Sequence, residues 1–224
     1  MTRTIVLLRH GQTAWNAEER AQGHADISLD DTGRAQAAAA APHLAALGPV
    51  RLWSSDLARA RETAAYVAEA TGLKIEADAR LREYDVGVRS GLTRSEFEAS
   101  YPQEYAAWLA DDERVLVEGE ESTLQVRERV LAALTDCLGA LAEGQTGIVV
   151  THGACLKVGL IALLGWPWEL SRGLRGMDNC GWSVLGEHGV KGGLRLVSYN
   201  ETAVVGAHPD HAPGGDFASD EAVG

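Results

Sequence analysis

Basic residues are scarce in this chain: 20 Lys and Arg stand against 32 Asp and Glu, a formal net charge of −12 over 224 residues. Binding nucleic acid without regard to sequence needs a basic surface, so that class is excluded. A small anionic ligand is not excluded, because a local cluster of arginines overrides the global field. Cysteine is also rare. Cys137, Cys155 and Cys180 form no CxxC, and an odd number without metal-type spacing builds no disulfide framework. They read as packing residues in a reducing setting. No segment approaches the roughly 18 uninterrupted apolar residues of a membrane span, and no signal-type apolar run follows the N-terminal charge. No GxGxxG or P-loop opens a helix, which removes the dinucleotide-binding classes. Repeats and interdomain linkers are missing too. These absences describe a soluble, cytoplasmic protein with neither nucleic acid nor membrane as partner.

What the chain does have is apolar content, 46% of residues, in a regular alternation of strand and helix patterns. Ile5-Val6-Leu7-Leu8 reads as a buried strand. After a polar loop from Gln12 to Asp30, the alanine-rich stretch Thr32 to Leu47 reads as a helix, kinked or shifted by Pro42. Val50 to Trp53 is a second strand, and Ser54-Ser55-Asp56 is a candidate N-cap for a helix reaching Ala70. Leu73 to Ala77 is a third strand. Thr93 to Asp112 breaks into two short helices at Pro102, and Ser122 to Ala142 repeats apolar residues at helical spacing. Thr146 to Thr151 is a fourth strand, followed by a buried helix from Ala154 to Leu164. Gly181 to Leu185 and Leu194 to Tyr199 form a closing antiparallel pair, whose edge is a candidate for homodimer pairing. The pattern predicts a three-layer α/β/α sandwich with a mostly parallel central sheet, an antiparallel edge and a small helical insertion. Residues 1–205 form one domain in this reading, with a helical cap at about 93–121 and a flexible tail over 206–224.

In such sheets ligands lie outside the carboxyl ends of the strands. The polar motifs fall there: Arg9-His10-Gly11 after the first strand, the segment Ser54 to Arg59 after the second, Arg82-Glu83 beyond the third, and His152-Gly153 after the fourth. Two histidines, at least two arginines and a glutamate then converge on one rim. Phosphoryl transfer suits that set. Guanidinium groups bind phosphate oxygens in pairs. An unprotonated imidazole attacks phosphorus, and neighbouring arginines keep it unprotonated. A carboxylic acid protonates the leaving oxygen and then serves as base towards water. No metal and no cofactor enter the scheme, so a chelator should not affect turnover, whereas vanadate should inhibit it.

The motifs LLRHGQTAWN, Gln22-Gly23, SSDLARARETA, LREYDVG and VVTHG, in that order, resemble those of the histidine phosphatase superfamily, also called phosphoglycerate mutase-like. The resemblance implies that His10 is the phosphorylated residue. Arg9, Arg59 and His152 complete the phosphate pocket, with Arg59 chosen over Arg51 and Arg61 by its motif position. Glu83 is the proton donor and acceptor. Thr13, Asn16, Gln22, Gly23 and Gly153 touch phosphate or substrate. The competing readings are a surface ion pair of Glu83 with Arg80 or Arg82, and a loop-shaping role for Asn16 and Gln22. Where many relatives carry a glycine-x-tryptophan-glutamate-glycine run, this chain has Gly87-Val88-Arg89-Ser90-Gly91. Arg89 reads as a solvated surface charge, the alternative being a contact to a second anionic group. The run glutamate-arginine-histidine-tyrosine-glycine of the cofactor-dependent mutases is missing. The expected function is metal-independent hydrolysis of a small phosphorylated metabolite through phosphohistidine. The alternatives are mutase-type phosphoryl transfer and a non-catalytic phosphate-binding module. His24, His43 and His188 show no convergent partners, His208 and His211 have only loose metal-type spacing, and Trp108, Trp166, Trp168 and Trp182 read as core or interface.

Overall fold

The computed structural model describes residues 2–110, 115–189 and 192–203. Its six strands are β1 (Thr4–Arg9), β2 (Pro49–Ser54), β3 (Ile75–Ala77), β4 (Thr146–Thr151), β5 (Trp182–Glu187) and β6 (Leu194–Glu201). They lie in the order β3-β2-β4-β1-β5-β6. The first four in that order run parallel, and β5 and β6 close the sheet antiparallel. The helices are α1 (Ala14–Ala17), α2 (Asp31–Ala46), α3 (Ala58–Thr71), α4 (Arg94–Ser100), α5 (Pro102–Leu109), α6 (Thr123–Gly139) and α7 (Gly153–Leu164).

Strand periodicity decides the layers. Side chains alternate between sheet faces, so β1 sends Ile5 and Leu7 one way and Val6 and Leu8 the other. Ile5 and Leu7 join Val130 and Leu134 of α6 and Leu156 and Leu160 of α7 in one core. Val6 and Leu8 meet Ala40 and Leu44 of α2 with Ala60 and Val67 of α3 in the other. A strand buried on both faces has no polar alternation, which is why TIVLLR and TGIVVT read as continuous apolar runs. The architecture is the three-layer sandwich that the pattern implies. The insertion is helical as well: α4 and α5, separated at Pro102, hold a small core of their own around Phe97, Tyr105 and Val117.

Several local expectations are corrected. The loop from Gln12 to Asp30 contains α1, one turn capped by Thr13 through a reciprocal box with Asn16. Ser54-Ser55-Asp56 does not cap α3. Leu57 occupies that position, and the Ala58 amide donates instead to Asp26 Oδ1 at 2.6 Å. The reason is competition, because Ser55 is taken by His152 and Asp56 by Arg82. The third strand starts at Ile75, not Leu73, and pairs with β2 alone at the sheet edge. Helix α2 runs on through Pro42 to Ala46. The tail 206–224, with His208 and His211, lies outside the described residues. No described helix is long and apolar enough to cross a membrane.

Candidate active site

Register brings the two histidines together. Strands β1 and β4 are parallel neighbours with Arg9 opposite Thr151, so the next residue of each, His10 and His152, leaves the sheet side by side. Adjacent strands are about 4.8 Å apart, and the imidazole centroids lie 5.1 Å apart, edge to face. On the other flank of β4, Ser54 of β2 pairs with Val150, which carries Ser55 Oγ to 2.8 Å from His152 Nε2.

A backbone carbonyl sets the His10 tautomer. His10 Nδ1 lies 2.7 Å from the Gly11 carbonyl, which only accepts, so Nδ1 carries the proton and Nε2 keeps its lone pair. Arg59 Nε donates towards that lone pair from 3.3 Å. Ser55 Oγ also accepts the Leu57 amide at 3.4 Å. The other ring nitrogen, His152 Nδ1, is a buried atom with no partner among the described residues. Burial first, then the guanidiniums of Arg59 and Arg9, holds His10 well below the ordinary imidazole value. His152 is lowered the same way, by burial, then Arg59. Both rings are therefore neutral near pH 7.

The surrounding groups are tethered from outside. Arg59, fully buried at the start of α3, donates Nη1 to the Ala25 carbonyl and Nη2 to the Gly23 carbonyl, both at 2.8 Å. Gly23 has φ +51, and a Cβ there would stand 2.6 Å from Val86 Cγ2, so the turn that anchors Arg59 requires glycine. Arg9 donates Nη1 to the Met177 carbonyl. Asn16 Oδ1 accepts from the Thr13 amide at 3.1 Å, and Thr13 Oγ1 reaches Gln22 Oε1 at 3.1 Å. The oxygens of both amides are thereby occupied. Their nitrogens, Asn16 Nδ2 and Gln22 Nε2, are buried without a partner among the described residues. With His152 Nδ1 they are three buried polar atoms without such a partner, a costly state for a polar group.

Glu83 approaches from the other side. Its Oε1 accepts from the Tyr84 and Cys155 amides at 2.9 and 2.8 Å, and Oε2 from the Ala154 amide at 3.1 Å. The carboxyl group thus caps the first turn of α7, where peptide dipoles favour it. The surface ion pairs open to Glu83 are made by others: Arg80 with Asp78 and Asp136, Arg82 with Asp56. Gly153 opens α7 directly after His152. Among the described residues no group of three or more His, Cys, Asp or Glu is arranged to hold a metal ion.

A cavity of about 900 Å³ leads outward from Gln22, Gly23 and Glu83, between the helical insertion and Trp166 and Trp168. The imidazoles do not line it; they are buried beside its inner end.

Residues 5–202 match the profile of the Histidine phosphatase superfamily (branch 1). The chain belongs to that superfamily. It is 38% identical over 192 residues to glucosyl-3-phosphoglycerate phosphatase of Mycolicibacterium vanbaalenii, a match covering 83% of this chain and 85% of the relative. It is also 38% identical over 182 residues to the probable phosphoglycerate mutase GpmB of Salmonella paratyphi A, covering 79% and 81%. Among solved structures, a mycobacterial glucosyl-3-phosphoglycerate phosphatase in complex with VO3 superposes with a TM-score of 0.81 at 35% identity, covering 89% of this chain and all of the other.

Within this histidine phosphatase framework several residues depart from their sequence reading. Arg89 is not solvated. It is buried, 3.0 Å from Glu120, with its guanidinium 5.3 Å from the Phe97 ring, because α4 and α5 fold over it. His24 does have converging partners: Nε2 lies 2.9 Å from the Glu83 carbonyl and Nδ1 3.5 Å from Asp85. Trp166 and Trp168 are exposed at the cavity mouth, whereas Trp182 is buried. All three described cysteines are free and buried, and burial pushes each thiol up to about 12. Sequence reasoning missed Ser55 as the orienter of His152. It also missed Thr63, whose Oγ1 accepts the Gly11 amide at 3.0 Å, and Asn179, which donates to the His10 carbonyl at 3.1 Å. Arg129 of α6 was missed as well; it donates to the carbonyls of Arg80, Arg82 and Glu83 and so pins the segment that carries Glu83. Only Arg129 left a sequence trace, a charge beside the buried stripe of its helix.

Proposed function

We propose that this chain hydrolyses the phosphomonoester of a small metabolite through a phosphohistidine on His10. The observation that carries the reading is the fixed tautomer: an imidazole whose Nδ1–H is held by the Gly11 carbonyl, leaving a buried Nε2 lone pair beside Arg59. In the first half-reaction Nε2 attacks phosphorus and the bond to the leaving oxygen breaks. Arg9, Arg59, His152 Nδ1–H and the side-chain amides of Asn16 and Gln22 hold the equatorial oxygens, where charge is spread in the transition state. Glu83 delivers a proton to the leaving oxygen from Oε2. In the second half-reaction Glu83 takes a proton from water, the water oxygen attacks phosphorus, and the P–N bond returns its electron pair to Nε2. Segment 93–121, as a cap, covers the departing group. Vanadate in a related phosphatase structure supports the same chemistry, since vanadate mimics five-coordinate phosphorus.

Hydrolysis and mutase transfer share the first step and differ in the acceptor. The phosphatase and mutase names among the relatives make 3-phosphoglycerate the informative substrate. Incubation should release inorganic phosphate. Accumulation of 2-phosphoglycerate without phosphate would place the chain among the mutases instead. A reducing cytoplasm and a homodimer paired through β6 complete the reading, the latter checked by light scattering.

A further inference from the structure

Beyond Glu83 the cavity runs to a pair of indoles that no step above uses. Helix α7 lines it with Ala154, Val158 and Ile161, and the Ala154 amide holds Glu83 Oε2. Ile161 stands seven residues after Ala154, about 10 Å further along the helix axis. Its carbonyl accepts the Trp166 amide at 3.1 Å, so this wall continues directly into Trp166-Pro167-Trp168. Proline fixes φ, at −58 here, which stiffens the backbone between the two tryptophans. Both line the cavity and both are exposed, as is Leu124 of α6, which lines it too. Neither indole stacks on another ring among the described residues. Apolar surface gathered in this way at a cavity mouth marks a place that a ligand covers. Charged groups of both signs share the same cavity. Glu120 lies 3.0 Å from Arg89 and Glu121 2.7 Å from Arg129, while Arg127, Lys157 and Arg172 are set against Glu104 and Glu169. No single sign prevails, and the far end adds aromatic surface.

We infer that this site takes phosphomonoesters whose leaving group is aromatic and long enough to reach from Glu83 to Trp166 and Trp168. This rests on the proposed hydrolysis, which puts the leaving oxygen at Glu83 and the rest of the substrate in the cavity. A short aliphatic leaving group ends near Ala154 and leaves most of the 900 Å³ to water. A fused ring carried on one methylene spans most of the ~10 Å and covers the indoles. Stacked aromatic pairs gain beyond the area they bury.

The test compares 2-naphthylmethyl phosphate, glucose 6-phosphate and ethyl phosphate. All three are esters of primary alcohols, so their leaving oxygens need similar help from Glu83. In the wild type, kcat/KM for the naphthylmethyl ester should exceed the other two by about tenfold or more, chiefly through KM. With Trp166→Ala and Trp168→Ala combined, the naphthylmethyl-to-ethyl ratio should fall by about tenfold. Phenylalanine at both positions should recover most of it. A wild type without preference, a preference for glucose 6-phosphate, or a ratio unchanged in the double alanine variant overturns the inference. A second measurement needs no variant: 2-naphthylmethanol should inhibit ethyl phosphate turnover more strongly than glucose does, and equal inhibition also overturns it. Failure of the wild type to hydrolyse even p-nitrophenyl phosphate would instead refute the underlying phosphatase reading.

Discussion

The floor of the site and its outer wall are built in opposite ways. On the floor the candidate side chains gather beyond the carboxyl ends of the parallel strands, and backbone carbonyls or amides hold several of them. His10 is held by Gly11, Arg59 by Gly23 and Ala25, and Glu83 by Tyr84, Ala154 and Cys155. The outer wall is made of short helices with their own small core, side-chain ion pairs such as Arg89–Glu120, and exposed tryptophans. Backbone-tethered groups keep their places when neighbouring side chains change, whereas side-chain pairs can be exchanged at modest cost. A floor of the first kind suits one fixed reaction on phosphate. A wall of the second kind suits a substrate remainder that varies among relatives.

That contrast can be broken by substitution. The largest effect belongs to His10→Ala, which should lower turnover by about 10⁴-fold or more while the fold persists, since the covalent route is lost. Near-wild-type phosphate release from the variant would end the distinction. Glu83→Gln comes next. Esters with poor leaving groups should slow by roughly 10²–10⁴-fold, and p-nitrophenyl phosphate by much less, because its leaving group needs little proton assistance. Equal slowing of both substrates counts against Glu83 as the acid. Ser55→Ala should cost about tenfold in kcat with little change in KM, since only the orientation of His152 is loosened. Arg89→Met tests the wall: p-nitrophenyl phosphate turnover should change by only a few-fold. A loss on that substrate as large as that of Glu83→Gln would show the wall to be part of the reaction floor.

The histidines give the comparison a pH signature. An unfolded histidine takes up a proton as pH falls through about 6.5, whereas folded His10 and His152, held well below that value, do not. The unfolded chain then binds more protons, so stability present above pH 6.5 is lost as pH falls below it. The slope is about 1.4 kcal/mol per pH unit for each histidine. Denaturant titrations between pH 7 and 5 should show it, and His152→Ala should flatten it. An unchanged slope would contradict the neutral-ring assignment.

The floor was far more legible in sequence than the wall. Apolar runs that end in Arg9-His10-Gly11 and His152-Gly153 state both the burial of their strands and the site at the strand ends, because local pattern and tertiary position coincide there. Short elements were less visible. Helix α1 is one turn, and β3 is three residues at an edge. The serine cluster before α3 carried a local capping signal that a tertiary partner, His152, overrode. Arg89 misled for the same reason: its burial depends on Phe97 and Glu120, which meet it only once the insertion has folded.

The proposed reaction turns on a single bond between His10 Nε2 and phosphorus. Rapid acid-free quenching during turnover of a phosphomonoester, followed by intact-protein and peptide mass spectrometry, tests it most directly. The expected result is one added phosphoryl group on the peptide containing His10, stable in alkali, lost in acid and missing in His10→Ala. Turnover by the wild type with no phosphorylated protein at any quench time, and undiminished turnover by His10→Ala, would contradict it.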